Sequence, residues 1–432
     1  MRPIARGEPR TRVRKTACMR SEIPDRPASR PIMLLYQSVF FRAMHLTSKE
    51  ERTLAGEEGP GRQKAMELLV AIGDIYGARR LIPITSAQVS GASFKTIGDA
   101  GIKFLEDFSK EAKATVRASV NPLGLDMKRW RSMGIERDFR AKQARIVSAY
   151  ASMKLEPLYT CTPYLSGNRP RTGQHIAWAE SSATVFANSV LGALTNREGG
   201  PSALSAAIIG KTAEYGLHLK ENRLPKVRID IEGIPPGLVP LAGYVVGRIA
   251  GNRIPYLPGL SLTQDEHKAF GAAMAATSAV SMYVHTERGR ASRVDTSRVE
   301  ECVSLPESEL VECQDSLAGD SSWDLVTIGC PHCSQAELRS MAKYLKDRKP
   351  RKDSDVWFCT SRAAYAACPD AVRVLNRFGK VLCDTCMVVS PIESMYKKTA
   401  SDSGKAMVYL PTLGKQKATF RTTRQLLEAI SR

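Results

Sequence analysis

Two CxxC pairs stand in the C-terminal third: Gly329-Cys330-Pro331-His332-Cys333, and about fifty residues later Cys383-Asp384-Thr385-Cys386. Eight of the ten cysteines (Cys302, Cys313, Cys330, Cys333, Cys359, Cys368, Cys383 and Cys386) fall within residues 302–386. Paired thiols ending strands, in a chain whose sequence shows no secretory signal, point to a metal or iron–sulfur centre rather than to disulfides. A zinc ribbon also uses two CxxC knuckles, but here a pair of expected helices and a strand lie between them, more than such a ribbon accommodates. Ser334-x-x-Glu337 is a capping box, which puts Cys330 at a strand end and Cys333 just ahead of a helix. Such strand-to-helix crevices are where α/β folds bind ligands. Cys359 and Cys368 read as buried structural thiols, small hydrophobes in effect. A third ligand must come from elsewhere, and Cys161, in Tyr159-Thr160-Cys161-Thr162-Pro163-Tyr164, is the sole cysteine between residues 18 and 302. Three thiolates from three loops would leave one iron of a cubane cluster without a protein ligand, free to act as a Lewis acid on a hydroxyl and a carboxylate.

Three further groups could complete such a site. Ser86-Ala87-Gln88-Val89-Ser90-Gly91-Ala92-Ser93 is a run of small and hydroxyl residues, expected as a loop over 85–93, that lets backbone N–H groups approach an oxyanion. No Gly-Lys-Ser/Thr follows it, so it is not a Walker loop. Asn121-Pro122 ends the next expected strand and would lie beside it. Glu180-Ser181-Ser182 precedes an apolar helix and Thr195-Asn196-Arg197-Glu198-Gly199-Gly200 follows it, which is consistent with a ligand site or with capping at both ends. Gly404-Lys405 precedes an apolar run, 406–410, expected as a strand; the lysine is either solvated or a partner for an anion.

These groups need a scaffold, and the pattern of elements supplies one. Helices are expected near 48, over 63–75, 96–108 and 138–153, then 181–193 and 201–210. Strands are expected at 80–84, 114–120 and 157–160, with alternation continuing through 227–231, 237–249 and 263–276. The last unit reads as strand 325–328, helix 335–345, strand 355–358, helix 362–377 and strand 380–382. Strands alternating with helices at these spacings predict parallel α/β layers. The expected organisation is a basic extension, 1–43; α/β domains over 44–297 carrying the substrate loops and the first cluster cysteine; an acidic, Ser-rich linker or peripheral hairpin, 298–322; and a C-terminal α/β domain, 323–432. The net charge of +19 is uneven, since residues 1–43 hold ten Lys/Arg against three Asp/Glu, leaving +12 for the body. That arm reads as disordered or artefactual with Met44 as an alternative start, or else as an Arg-rich transit peptide. Aromatic residues make up 6% of the chain, too few to interleave a single-strand nucleic-acid groove. No charge-free apolar run reaches the roughly eighteen residues of a membrane span.

Seven stretches taken together resemble the aconitase X family: Ile84-Thr85-Ser86-Ala87-Gln88-Val89-Ser90-Gly91, Gly98-Asp99-Ala100-Gly101, Tyr159-Thr160-Cys161-Thr162-Pro163-Tyr164, Trp178-Ala179-Glu180-Ser181-Ser182-Ala183, Thr195-Asn196-Arg197-Glu198-Gly199-Gly200-Pro201-Ser202, Ile328-Gly329-Cys330-Pro331-His332 and Asp384-Thr385-Cys386-Met387-Val388-Val389-Ser390-Pro391. They are collinear from Met44 to the C-terminus. The resemblance implies aconitase-like three-layer parallel α/β domains around a central cleft, with the swivelling domain on a separate chain. It implies a [4Fe-4S] cluster with one iron lacking a protein ligand, held by Cys161, Cys330 and Cys386. Substrate contacts are implied for Gly91, Ala92, Ser93, Asn121, Pro122, Glu180, Ser181 and Lys405, with Ser93, Glu180 and Ser181 as the catalytic candidates.

The implied reaction is loss of water from (R)-5-phosphomevalonate to trans-anhydromevalonate 5-phosphate, in a modified mevalonate route of archaeal type. Dehydration of cis-3-hydroxy-L-proline is the alternative, and a zinc-binding nucleic-acid-associated protein a more remote one. The expected partners are a small swivelling subunit and a phosphorylated hydroxy acid, with neither nucleic acid nor membrane, and free thiols imply the cytoplasm.

Overall fold

The computed structural model describes residues 44–287 and 294–432, together with the backbone of Lys15–Thr16. Three α/β units follow one another along the chain. In the first, a parallel three-stranded sheet runs in the order Arg117–Val120, Ser86–Val89, Ala177–Trp178. Every side chain of Ser86–Val89 is buried, as befits a central parallel strand covered on both faces. Around it pack helices Pro60–Ile75, Phe94–Ser109, Arg137–Ser152 and Gly200–Ile209. Of the stripe Ile97, Ile102, Leu105 and Phe108 that its periodicity predicts, the helix Phe94–Ser109 buries the last three and leaves Ile97 half-buried.

The second unit is a five-stranded sheet in the order Lys15–Thr16, Glu301–Leu305, Val227–Ile231, Pro255–Leu257, Val284–His285, parallel except for the first pair. Helices Val239–Ala250 and Gln264–Thr277 pack closely against each other. The third unit is an all-parallel sheet ordered Lys380–Cys383, Asp355–Thr360, Leu325–Cys333, Lys398–Ser401, Lys417–Phe420. Among the described residues no helix is long and apolar enough to cross a membrane.

Several expectations need correction. Residues 298–322 are not a linker: Glu301–Leu305 pairs with Val227–Ile231, and Glu307–Ser316 is a helix. Of the acidic residues that suggested solvent, Glu307, Glu312 and Asp315 are exposed, while Glu309 is buried beside Leu310. Half of the expected loop 85–93 is the strand Ser86–Val89, whose Ser and Gln side chains hide it from a hydropathy reading. Residues 157–160 form no strand beyond an isolated bridge from Glu156 to Ser119. The helix expected over 362–377 breaks at Cys368, because Pro369 opens a second helix. Residues 406–410 belong to a helix, Gly404–Thr412, and not to a strand. The reading of the basic arm lies outside the described residues, apart from the backbone pairing of Lys15 and Thr16 with Val303 and Cys302.

Candidate active site

All eleven residues singled out above line one cavity of ≈ 300 Å³ between the first and third units. The way they reach it follows from the strand-to-helix turns. Ser93 is the N-cap of Phe94–Ser109, accepting from the Lys95 N–H at 3.3 Å and donating to the Val389 carbonyl at 2.7 Å. Glu180 caps Ser181–Ser189, and Ser403 caps Gly404–Thr412, which puts Lys405 on the first turn of that helix. Three helix N-termini thus border the same space, each bringing a positive dipole end, an arrangement suited to an anionic ligand. Gly404 lets its helix seat against the Pro240 carbonyl, where a Cβ would collide.

The polar groups are wired together. Lys405 Nζ donates to Glu180 Oε1, and Asn121 Nδ2 donates to Glu180 Oε2 at 2.6 Å. Gln88, fully buried, donates to Asn121 Oδ1 at 2.5 Å and accepts from the Glu180 N–H at 2.9 Å. Burial alone would raise the Glu180 carboxyl, but the Lys405 ammonium, the Asn121 amide and the Arg197 guanidinium outweigh it and hold the pKa at about 2. For Lys405 the balance is the same in mirror image: burial disfavours its charge, and the Glu180 carboxylate more than restores it. Ser181 and Ser182 hydroxyls donate to the same carboxylate at 3.4 and 3.1 Å.

The cysteines divide cleanly. Cys161, Cys330 and Cys386 all border the cavity, Cys161 buried and the other two partly exposed. Cys333 instead packs with Ile328, Leu338 and Val356 in the core of the third unit, and Cys383 is buried on its strand with its N–H given to Asp126 Oδ2 at 2.9 Å. Each CxxC pair is split between the cavity and the core, so the two pairs do not close into a four-thiolate zinc cage. Among the described residues no three His, Cys, Asp or Glu side chains converge tightly enough for a single metal ion. A sulfide-bridged iron cluster asks for something else, thiolates spread around a body larger than one ion, each binding its own iron. The donor set fits that: three thiols from three separate turns, close enough that Cys386 raises the pKa of both others, beside a lysine that lowers it. Burial is the larger effect and pushes Cys330 up to about 12, and cationic iron would draw these thiols into thiolates.

The turn bearing Cys386 is pinned to the first unit. Leu123 N–H donates to Asp384 O at 2.8 Å and Cys386 N–H returns to Leu123 O at 3.1 Å, setting Asn121-Pro122 against the cysteine. Cys330 follows Gly329, at φ +108°, where a Cβ would overlap the Cys359 carbonyl. Gly329→Ala is therefore expected to cost roughly 2–5 kcal/mol, from backbone strain plus overpacking. Denaturant unfolding of the cluster-free variant measures it.

The sequence reading missed Gln88, Arg197 and His332 as parts of the site. Arg197 is exposed at the cavity, donating one N–H to Ala275 O at 3.2 Å. Gln88 sat in a quoted motif, and its signal was a long amide in the middle of an otherwise small-residue run.

The chain is similar along most of its length to proteins of one family. Residues 43–221, 225–309 and 323–432 match the family models "Aconitase X first domain", "Aconitase X second domain" and "Aconitase X third domain". The chain is 46% identical, over 404 residues, to the phosphomevalonate dehydratase large subunit of Methanocaldococcus jannaschii, covering 89% of this chain and 100% of that one. It is 33% identical over 410 residues to the cis-3-hydroxy-L-proline dehydratase of Hypocrea jecorina, covering 90% of this chain and 68% of that one. The holo-form crystal structure of Thermococcus kodakaraensis aconitase X superposes with a TM-score of 0.83 at 42% identity, covering 90% of this chain and all of that chain.

Proposed function

This chain belongs to the aconitase X family and is a dehydratase, a hydro-lyase, and on that premise we propose that it is the large subunit of an enzyme converting (R)-5-phosphomevalonate into trans-anhydromevalonate 5-phosphate. The observation that carries this reading is the single cavity where Lys405, Arg197 and three helix N-termini meet the three cysteines. A substrate with a carboxylate at one end and a phosphate at the other matches two cationic groups better than a zwitterionic hydroxyproline does. The chain also accounts for the whole length of the archaeal large subunit but for 68% of the hydroxyproline enzyme. A small partner subunit and a reducing compartment, the cytoplasm, belong to the same reading.

The reaction breaks the C–H bond alpha to the carboxylate and the neighbouring C–OH bond, forms a C=C bond and releases water. Cys161, Cys330 and Cys386 would hold a [4Fe-4S] cluster whose open iron supplies Lewis acidity toward the departing hydroxyl. The remaining work falls to the protein. Lys405, with the N–H groups of Gly91, Ala92 and Ser93, binds the carboxylate and so offsets the charge that builds up on it as the α-proton leaves. Asn121, which donates to Glu180 Oε2, and Pro122 complete the lining. The base is Glu180 or the Ser93 oxygen, with Ser181 beside them. Glu180 held at about 2 is a poor base while Lys405 is its partner, and a substrate carboxylate that competes for Lys405 raises its basicity at the moment of binding.

Arg197 is assigned the phosphate. Arg197→Gln is expected to raise KM for the phosphorylated substrate about 10–100-fold, the worth of a charged hydrogen bond, with kcat little changed. Steady-state kinetics separate the two. The test of the reading itself is an anaerobic dehydration assay with and without the small subunit on both candidate substrates. Turnover of 5-phosphomevalonate supports it, and turnover of cis-3-hydroxy-L-proline alone overturns it.

A further inference from the structure

We infer that His332 is a positioning residue that ties the three cysteine-bearing turns together and sets the spacing of their thiols. The inference rests on the cluster reading above and concerns a residue that no role there requires. The imidazole is almost fully buried at 1% exposure and borders the cavity. Nε2 lies 2.8 Å from the Thr385 carbonyl, the residue before Cys386. Nδ1 lies 3.0 Å from Thr160 Oγ1, the residue before Cys161. His332 itself is two residues beyond Cys330, and its main-chain N–H donates to Cys161 Sγ at 3.2 Å. One side chain therefore reaches the neighbour of each of the other two cysteines from the turn that carries the third.

The tautomer follows from the partners. A carbonyl only accepts, so Nε2 carries the proton, and Nδ1 accepts from the Thr160 hydroxyl. Both ring nitrogens thus have partners. Lys268, buried, donates to the His332 carbonyl at 3.3 Å and to Glu337, fixing the main chain behind the ring. Without such a tie the turns at residues 161, 330 and 386 would be held to one another only by main-chain bonds such as Leu123 N–H to Asp384 O and His332 N–H to Cys161 Sγ, and the mutual repulsion of the thiolates would loosen their spacing. Residues that orient metal ligands from behind typically change metal affinity by about 10–100-fold when replaced.

The test compares wild type with His332→Phe, which fills the space but loses both ring hydrogen bonds, and His332→Gln, whose amide keeps one donor and one acceptor. Thr160→Val, which removes the partner of Nδ1 along with that hydroxyl's bonds to Thr162, leaves the imidazole in place and keeps the test open should His332→Phe misfold. Each is reconstituted anaerobically with iron and sulfide. Cluster release to a chelator and the midpoint potential are then read alongside the thermal stability of the cluster-free form. Release about 10–100-fold faster in His332→Phe, a smaller acceleration in Thr160→Val, and a shifted potential partly restored in His332→Gln are expected. Wild-type release rates and potential in His332→Phe and Thr160→Val, whatever their stability, overturn the inference while leaving the cluster reading intact. A wild-type protein that takes up no iron and sulfide overturns both.

Discussion

Cys161→Ala is expected to leave the chain folded while abolishing iron retention, and to lower kcat/KM by about 10⁴-fold or more, the equivalent of several kcal/mol of Lewis-acid stabilisation. The cysteine stands alone in the first unit, and no second thiol of that unit borders the cavity to replace it. Cys330→Ala and Cys386→Ala should behave alike. Cys333→Ala provides the contrast, because Cys333 lies in the apolar core of the third unit. It should keep its iron and sulfide and lose about 1 kcal/mol of stability, an ordinary small core truncation. Iron and acid-labile sulfide analysis of the purified variants distinguishes the two classes. A Cys161→Ala protein with full iron content and activity would remove the basis of the ligand assignment.

The second large effect is expected at the Lys405–Glu180 pair, whose side chains are each 11% exposed. Lys405→Met leaves a buried carboxylate without its counter-charge, a change worth roughly 3–5 kcal/mol of stability. It also removes the group assigned to the substrate carboxylate, so kcat/KM should fall by about 10²–10⁴-fold. Adding Glu180→Gln to Lys405→Met takes away the stranded charge, and stability should return while turnover does not. The sign of the pH dependence follows from the two shifts. Glu180 sits below its ordinary value of 4.5, so its contribution is present above that pH and is lost as the pH falls toward about 2. Lys405 is raised above its ordinary 10.5, so its contribution is complete below that pH and is lost only in stronger base. Chemical denaturation of the single and double variants across this window checks the pairing. If Lys405→Met is as stable as wild type at neutral pH, the pair contributes nothing to the fold.

Much of this site could be read from the chain because its residues are attached to punctuation that sequence preserves. Cys330 precedes a capping box, Asn121-Pro122 ends a strand, and Glu180 opens a helix; such turns place side chains in crevices whatever the tertiary detail. What could not be read was the identity of elements without a usable period. Ser86–Val89 is buried on both faces and shows no alternation, and its polar side chains disguised it as a loop. The run after Lys405 is apolar throughout and carries Pro411, so a short helix and a strand look the same there. The choice within each CxxC pair was equally hidden. It depends on which face of strand Leu325–Cys333 and of the turn after Lys380–Cys383 meets the first unit, and that is settled by packing across the chain. The cross-ties made by His332 and Gln88 are long-range for the same reason.

The central claim is that thiolates from residues 161, 330 and 386 surround an iron–sulfur cluster with one iron left open to the substrate. Mössbauer spectroscopy of the anaerobically reconstituted protein, recorded with and without 5-phosphomevalonate in the presence of the small subunit, tests it directly. The account predicts one distinct iron subsite whose signal moves when substrate is added, while the others stay put. A spectrum that ignores the substrate during turnover, or an active protein containing no iron, would contradict it.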